Sequence, residues 1–281
     1  GEALFFSKSD ERILFPSPVS GTIKEIIRGE RRKVLEIHIE PSKEQVFVNF
    51  GEKNIAQMEA EQIKEHLLKA GCWPFIKQRP YDVIANPDGK PKAIFVSACK
   101  THPLAPDYDY ILKGKEQQLQ TALTALSKLT TGKVHVSVFK DSSLSPFRNL
   151  KDIEIHNVSG PHPAGNVSTQ IAKISPINKG EVVWVVNPED LVVIGELFLT
   201  GKVHLTRTVA LTGERFTNPH YVTAIAGAQI GGVVANQLKE VANTRIISGN
   251  VLTGTQVSET GFLGFYDDQI TAIPEGNDYD L

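Results

Sequence analysis

The chain has 281 residues, 41% apolar and 22% charged, enough for roughly two or three globular domains with buried cores. Its 30 basic and 32 acidic side chains leave a formal net charge of −2 with no basic run, so no global field recruits nucleic acid or anionic lipid. Two cysteines, Cys72 and Cys99, exclude a disulfide framework, a four-cysteine zinc site and an all-cysteine iron–sulfur cluster held by this chain alone, and they fit a reducing compartment.

No apolar stretch reaches the roughly 18 residues needed to span a bilayer, and no signal-peptide pattern occurs. The sequence opens at Gly1, runs directly into the strand-like Ala3-Leu4-Phe5-Phe6, and closes on an acidic tail, residues 275–281. It reads as an internal piece of a longer protein.

Residues 1–41 carry short alternating runs, Ile13 to Phe15, Thr22 to Ile27 and Val34 to Ile39, separated by turn signals at Ser17-Pro18 and Arg28-Gly29-Glu30. In the last run His38 falls on the polar side and reads as solvated. The phrase Phe15 to Ile23 resembles the second half of a biotinyl/lipoyl-type barrel-sandwich domain. In such domains a modified lysine sits on the preceding hairpin. The matching position is Asp10 and Lys8 is offset, so the scaffold is expected without the swinging-arm chemistry.

A helix is predicted over about 58–70, with Ile63, Leu67 and Ala70 on one stripe, a Glu65–Lys69 pair and Gly71 as its stop. Trp73-Pro74-Phe75 and Arg79-Pro80-Tyr81 follow as a rigid aromatic loop, a packed lid or a binding edge. Ala93 to Cys99 is nearly continuously apolar, as in a strand covered on both faces of a parallel sheet. A helix over about 115–130 and strand-like runs at Val134 to Phe139 and Ile153 to Val158 give the β-α-β-β alternation of an open α/β domain.

Next comes Ser159-Gly160-Pro161-His162-Pro163-Ala164-Gly165-Asn166, which connects a strand to a helix that Asn166 and Ser168 can cap. In open α/β sheets such βα loops are where ligands usually sit; the plainer alternative is a tight, rigid turn. Glu181 to Val186 reads as a buried strand, and Asn187-Pro188-Glu189-Asp190 as a helix start with a capping Asn. Beyond Lys202 the texture changes to short β-type runs: Thr206 to Leu211, Tyr221 to Ala226, Arg245 to Gly249 and Phe265 to Ile273. One small helix is expected near Gly231 to Gln237, and Gly249 to Thr255 reads as a hairpin connection.

No phosphate-binding loop, nucleophile elbow or His-Glu-x-x-His helix occurs. His102 and His162 lie in βα loops, with Asp82, Asp107 and Asp109 as available acids, but no nucleophile is paired with a base. No catalytic or metal-ligating residue is assigned. The candidate ligand-loop residues are Gly160, His162, Pro163 and Gly165, with Thr101 and His102.

At Gly160 to Gly165 a specific likeness emerges. It extends through Lys92 to Ala98, Pro103 to Ala105, Ile194 to Gly201, Arg207 to Leu211, Asn218-Pro219, Arg245 to Thr255 and Leu263 to Tyr266. Over essentially its whole length the chain resembles the alpha-subunit (NqrA) family of bacterial Na+-translocating NADH:quinone reductases. More distantly, it resembles the RnfC subunit of the Rnf electron-transport complex and the NADH/flavin subunit of respiratory complex I. The resemblance implies a multidomain α/β protein: a partial barrel-sandwich region at 1–45, a Rossmann-like open α/β domain at 46–202 and a small SLBB-like β-grasp domain at 203–281.

It further implies an accessory subunit, without a complete catalytic centre of its own, of a complex coupling electron transfer from NADH to ubiquinone with sodium export. Such a complex sits at the bacterial inner membrane, with this subunit peripheral on the cytoplasmic face and held there through partner subunits. The complex uses NADH, flavins and ubiquinone, with ubiquinone a candidate contact of this chain. The glycine-rich loop of the distant relatives is missing and their Tyr-Pro-Gln-Gly element stands here as His162-Pro163-Ala164-Gly165, so no cofactor is expected on this chain. Two alternatives remain: a flavin- or NADH-binding redox subunit, or a structural assembly scaffold.

Overall fold

The computed structural model describes residues 1–277; the end of the acidic tail, residues 278–281, lies outside them. The N-terminal part consists of two antiparallel hairpins. β1 (Ala3–Ser7) pairs with β2 (Asp10–Pro16), and β3 (Gly21–Arg28) pairs with β4 (Val34–Pro41). Their burial does not alternate as the sequence suggests: β3 is exposed at all but Ile27, and β4 is half-buried only at Ile37, His38 and Ile39. The first hairpin turns at Lys8 and Ser9, so the lysine, not Asp10, occupies its tip. Asp10 instead pairs with Arg12, which also bridges to Asp88. His38 is half-buried rather than solvated: it bonds Glu36 at 2.7 Å and its ring lies against Phe262.

A strap over residues 42–54 leads into the second part, tied along its path by Phe50 N–H to Gly201 O and Lys53 N–H to Phe198 O. The helix α1 (Ala60–Lys69) buries Ile63, Leu67 and Leu68. Its N-terminus is closed by a capping box in which Glu59 and Gln62 satisfy each other's backbone amides. The ion pair on its surface joins Glu61 to Lys64, in place of the expected Glu65–Lys69 pair.

Six strands form the central sheet: β5 (Lys77–Arg79), β6 (Val83–Ile84), β7 (Ile94–Ser97), β8 (Val134–Phe139), β9 (Glu154–Val158) and β10 (Val183–Val185), in the order β6-β5-β10-β7-β8-β9. The four from β10 to β9 run parallel, while β5 adds antiparallel to β10 and β6 to β5. The loop expected from Arg79 onward is thus preceded by a strand that ends on Arg79 itself. A three-residue strand is too short to show a period, and only its partner reveals it.

The helices are α2 (Tyr108–Ile111), α3 (Glu116–Ser127), α4 (Val167–Ile174) and α5 (Pro188–Thr200). Ile171 of α4 packs on Phe95, Val183 and Val185 on one face of the sheet. α3 and α5 join the larger core on the other face, with Val96, Val136 and Trp184. β7 is therefore covered on both faces, which is why its sequence is continuously apolar. Trp73 and Phe75 are fully buried, and Trp73 stands edge-on to Trp184 at 5.4 Å while donating to Ala85 O at 2.7 Å. Trp73-Pro74-Phe75 is thus core, whereas Tyr81 is exposed at the surface.

The third part is a five-stranded sheet of order β12-β11-β15-β13-β14, built from β11 (Thr206–Thr212), β12 (His220–Ile225), β13 (Thr244–Ser248), β14 (Thr255–Val257) and β15 (Gln269–Pro274). Its own core gathers Val209, Leu211, Phe216 and Ile270 around the short α6 (Ile230–Val234). The β13–β14 pairing makes Gly249 to Gly254 a hairpin connection, with Gly249 at φ +95°. Phe265 and Tyr266 precede the last strand instead of opening it. Phe265 stacks on Phe75 at 5.3 Å and the Tyr266 hydroxyl donates to Pro74 O, so these aromatics dock the third part onto the second.

Candidate functional site

In chain order β7, β8 and β9 step outward in one direction, and β10 returns to lie on the other side of β7. The sheet therefore has its topological switch point between β7 and β10, and ligands of open α/β sheets bind at the carboxyl ends of strands there. A cleft of about 470 Å³ occupies this place. Ser97, Lys100, Thr101 and His102 reach it from the end of β7, Val185 and Asn187 from β10, and Gly165 to Ser168 from the start of α4. Lys77, Arg79 and Asp82 come from the antiparallel edge and Tyr266 from the third part.

Of the six expected ligand-loop residues, the structure brings Thr101, His102 and Gly165 into the cleft, while Gly160, His162 and Pro163 stay exposed outside its lining. The two loops are joined tightly. Gly165 N–H donates to Thr101 Oγ1 at 2.9 Å, and that hydroxyl lies 3.3 Å from His162 Nδ1. Ser97 Oγ donates to Gly165 O at 2.9 Å, and Gln170, itself buried, donates to both Ser97 Oγ and Ala164 O. A Cβ at Gly165 would collide with Cys99 O and fall 2.7 Å from Thr101 N. The missing Cβ thus lets this glycine pack against the chain's own backbone. Gly160, at φ +116°, serves the turn geometry.

Asn166 stands at the N-cap of α4 but its side chain makes no capping bond; its backbone carbonyl takes the amides of Thr169 and Gln170. Asn187 likewise stands at the N-cap of α5 without a side-chain capping bond, and its Nδ2 donates to Asp190 Oδ2 at 3.2 Å.

Charge gives the cleft its character. Lys77 Nζ sits 3.9 Å above the Tyr266 ring, and burial pulls its ammonium below the usual lysine range. Arg79 reaches Asp82 at 3.4 Å, and its buried Nε has no acceptor among the described residues. Burial, and then the Lys100 charge, lower His102 from its ordinary value, while its Nδ1 lies 3.4 Å from Pro103 O. Arg79 is paired with Asp82 and Lys100 with Asp268, so Lys77 is the lining cation outside the salt bridges among the described residues and the one best placed to meet an anion or a carbonyl oxygen.

Behind the cleft lies a buried ionic joint. Asp268, preceding β15, accepts from Lys100 Nζ at 2.5 Å and from the Tyr108 hydroxyl at 2.9 Å. Arg207 of β11 lies 3.4 Å from Asp190, and the Thr208 amide donates to Glu189 Oε1 at 2.9 Å. Burial pushes Glu189 up to about 7 and Asp190 up to about 6, with Arg207 opposing both shifts. Lys77, Arg79, Lys100 and Tyr266 were not among the residues expected from sequence. Their polar position just past two buried strands was the available signal for Lys100 and Asn187; for Tyr266, in another domain, there was none.

Hairpin pairs in front, a switch-point α/β domain and a β-grasp module define a multidomain α/β protein. Residues 1–42 match the NqrA N-terminal barrel-sandwich hybrid domain, 58–203 the NqrA second alpha/beta domain and 208–259 the NQRA C-terminal domain. The chain belongs to the NqrA family.

It is 38% identical over 284 residues to the NqrA subunit of the Na(+)-translocating NADH-quinone reductase of Yersinia pseudotuberculosis serotype O:1b, covering 100% of this chain and 63% of that protein. It is 35% identical over 285 residues to the same subunit of Neisseria meningitidis serogroup A, again with 100% and 63% covered. The chain thus spans 63% of the length of these relatives. Among solved structures, an NAD+-reducing [NiFe]-hydrogenase in the H2-reduced state aligns with a TM-score of 0.51 at 13% identity, over 78% of this chain and 49% of that one. The air-oxidized state gives 0.50 at 14%, with the same coverage. These two share the fold.

Proposed function

We propose that this chain works as an accessory part of the NqrA subunit in a Na+-translocating NADH:ubiquinone oxidoreductase, with NADH oxidation, flavins and sodium passage residing in partner subunits. The observation that carries this reading is the collinear match of all three parts, in order, to NqrA domains, together with 38% identity across the whole chain. Among the described residues no helix is long and apolar enough to cross a membrane. In this reading the chain lies on the cytoplasmic face of the bacterial inner membrane and is held there by its partners.

The chain binds no resident cofactor in this proposal. The tight Gly165–Cys99 packing supports it, since the loop glycine already has a backbone against it. The cleft offers its Lys100, Thr101 and His102 side to the carbonyl oxygens of a ubiquinone head group. Equilibrium titration of the chain with a short-chain ubiquinone, followed by tryptophan fluorescence, tests the site. Saturation that weakens in Lys77→Ala is expected, and the absence of saturable binding overturns the quinone assignment. Quinone reduction by the complex with and without its NqrA subunit tests the accessory role; complete activity without it would refute that role.

A second reading, a flavin- or NADH-binding subunit, draws on the cationic cleft at the switch point. Protein that stays yellow after flavin incubation and desalting would favour it over the first.

A further inference from the structure

On the sheet face that α4 covers, β7 and β10 present apolar side chains, but the two outer strands present polar ones. In register with Phe95 of β7 stands His135 of β8, and Glu154 of β9 stands next to it. His156 follows two residues later, so it lies on the same face as Glu154. His135 is buried, His156 half-buried and Glu154 exposed. His135 Nδ1 lies 3.0 Å from His156 Nε2 and 3.4 Å from Glu154 Oε2. One ligand atom from each of the three residues falls within 4.8 Å of the others.

We propose that His135, Glu154 and His156 form a three-ligand site for a divalent first-row transition ion, Zn2+ being the best match, with one coordination position left to solvent. Zinc bound tetrahedrally at about 2.0–2.1 Å to nitrogen and oxygen ligands separates neighbouring ligand atoms by about 3.3–3.4 Å. The two observed spacings, 3.0 and 3.4 Å, reach that geometry with a shift of a few tenths of an ångström. Two imidazoles and one carboxylate select against Mg2+ and Ca2+, which take oxygen ligands, and toward zinc or its neighbours.

The surroundings fit a ligand set. Glu154 Oε1 lies 3.7 Å from Lys133 Nζ, and its other oxygen, Oε2, is the one near His135. Ser137, in register with His156, has a buried hydroxyl without a partner among the described residues. The parallel ladder fixes the ligand spacing, and the exposed Glu154 gives an entry path. The site lies toward the amino ends of β8 and β9, away from the cleft at the carboxyl ends. An ion there would clamp the edge strand β9 to the sheet. Sequence spacing could not disclose it, because the ligands come from two strands.

The competing account is a plain hydrogen bond between the two imidazoles, which confers no metal affinity. Calorimetric titration of the full chain with Zn2+ alone, at neutral pH, separates them. The site predicts one saturable ion per chain, and Co2+ in its place predicts the strong visible bands of a low-coordinate complex. His156→Ala is expected to weaken binding by about 100-fold or more and Glu154→Gln by about 10-fold, scaled from the losses seen even at outer-shell partners. His220→Ala, a surface histidine elsewhere, is expected to leave it unchanged. Both ligand variants change side chains that are not fully buried, and circular dichroism verifies their folding. No saturable Zn2+ binding, or equal affinity in wild type and His156→Ala, overturns the proposal.

Discussion

Lys100→Ala tests the joint that fastens the third part of the chain to the second. The Lys100 ammonium lies 2.5 Å from Asp268, whose side chain is 8% exposed against 23% for the lysine. Burial pushes the Asp268 carboxyl up, but the Lys100 charge and hydrogen bond, the Tyr108 hydroxyl and Arg207 together hold it below the usual carboxylate range. Removing the lysine leaves a buried carboxylate with one hydroxyl and a more distant guanidinium. Breaking a buried pair from one side costs about 3–5 kcal/mol, and the lysine's residual exposure places this case at about 3.

The sign with pH follows from the depressed carboxyl. Its stabilisation is present above its unfolded pKa of about 3.9 and is lost as pH falls through the folded value. In the variant that value rises, so the deficit is largest near neutrality and shrinks in acid, where the stranded group takes up a proton. Urea unfolding at about pH 7 and about pH 5 measures this, with Lys100→Ala/Asp268→Asn expected to regain much of the loss. A deficit under about 1 kcal/mol at pH 7, or a double variant no better than the single one, would refute a buried pair at this joint.

Two further outcomes are expected. Gly165→Ala should cost about 3 kcal/mol in thermal or urea unfolding, because its Cβ would collide with Cys99 O and Thr101 N with only backbone to give way; a loss below about 1 kcal/mol would show that the loops can separate. Glu189→Gln should flatten the pH dependence of stability. Since burial raises Glu189 to about 7, the wild type loses stability as pH climbs from about 4.5 through 7, and an unchanged slope in the variant would count against that burial.

Much of the fold is legible in the sequence because periodicity reports burial. The apolar run at Ala93 to Cys99 discloses a strand covered on both faces, and Pro188 with Gly201 brackets α5. Legibility fails where an element is defined by its partner. β5 and β6 have three and two residues and exist only as additions, β5 to β10 and β6 to β5. Capping escapes for the same reason: Asn166 and Asn187 have the right chemistry at the right positions, yet neither side chain bonds a helix amide. The candidate loop does connect β9 to α4, but of Gly160, His162, Pro163 and Gly165 only Gly165 lines the cleft.

That partial result has a physical cause which bears on function. Glycine and proline in a βα loop signal close backbone approach, and sequence cannot say what approaches. Here it is the loop after β7, held by Thr101, Ser97 and Gln170. The cleft beside it takes its charge instead from Lys77 and Arg79 on the antiparallel edge and from Lys100, and one wall from Tyr266. Lys100 both lines this cleft and pins Asp268, so a ligand that draws on Lys100 must compete with the domain joint for the same ammonium. Occupation of the cleft and seating of the β-grasp module are therefore linked through one side chain, and each must alter the free energy of the other by the same amount.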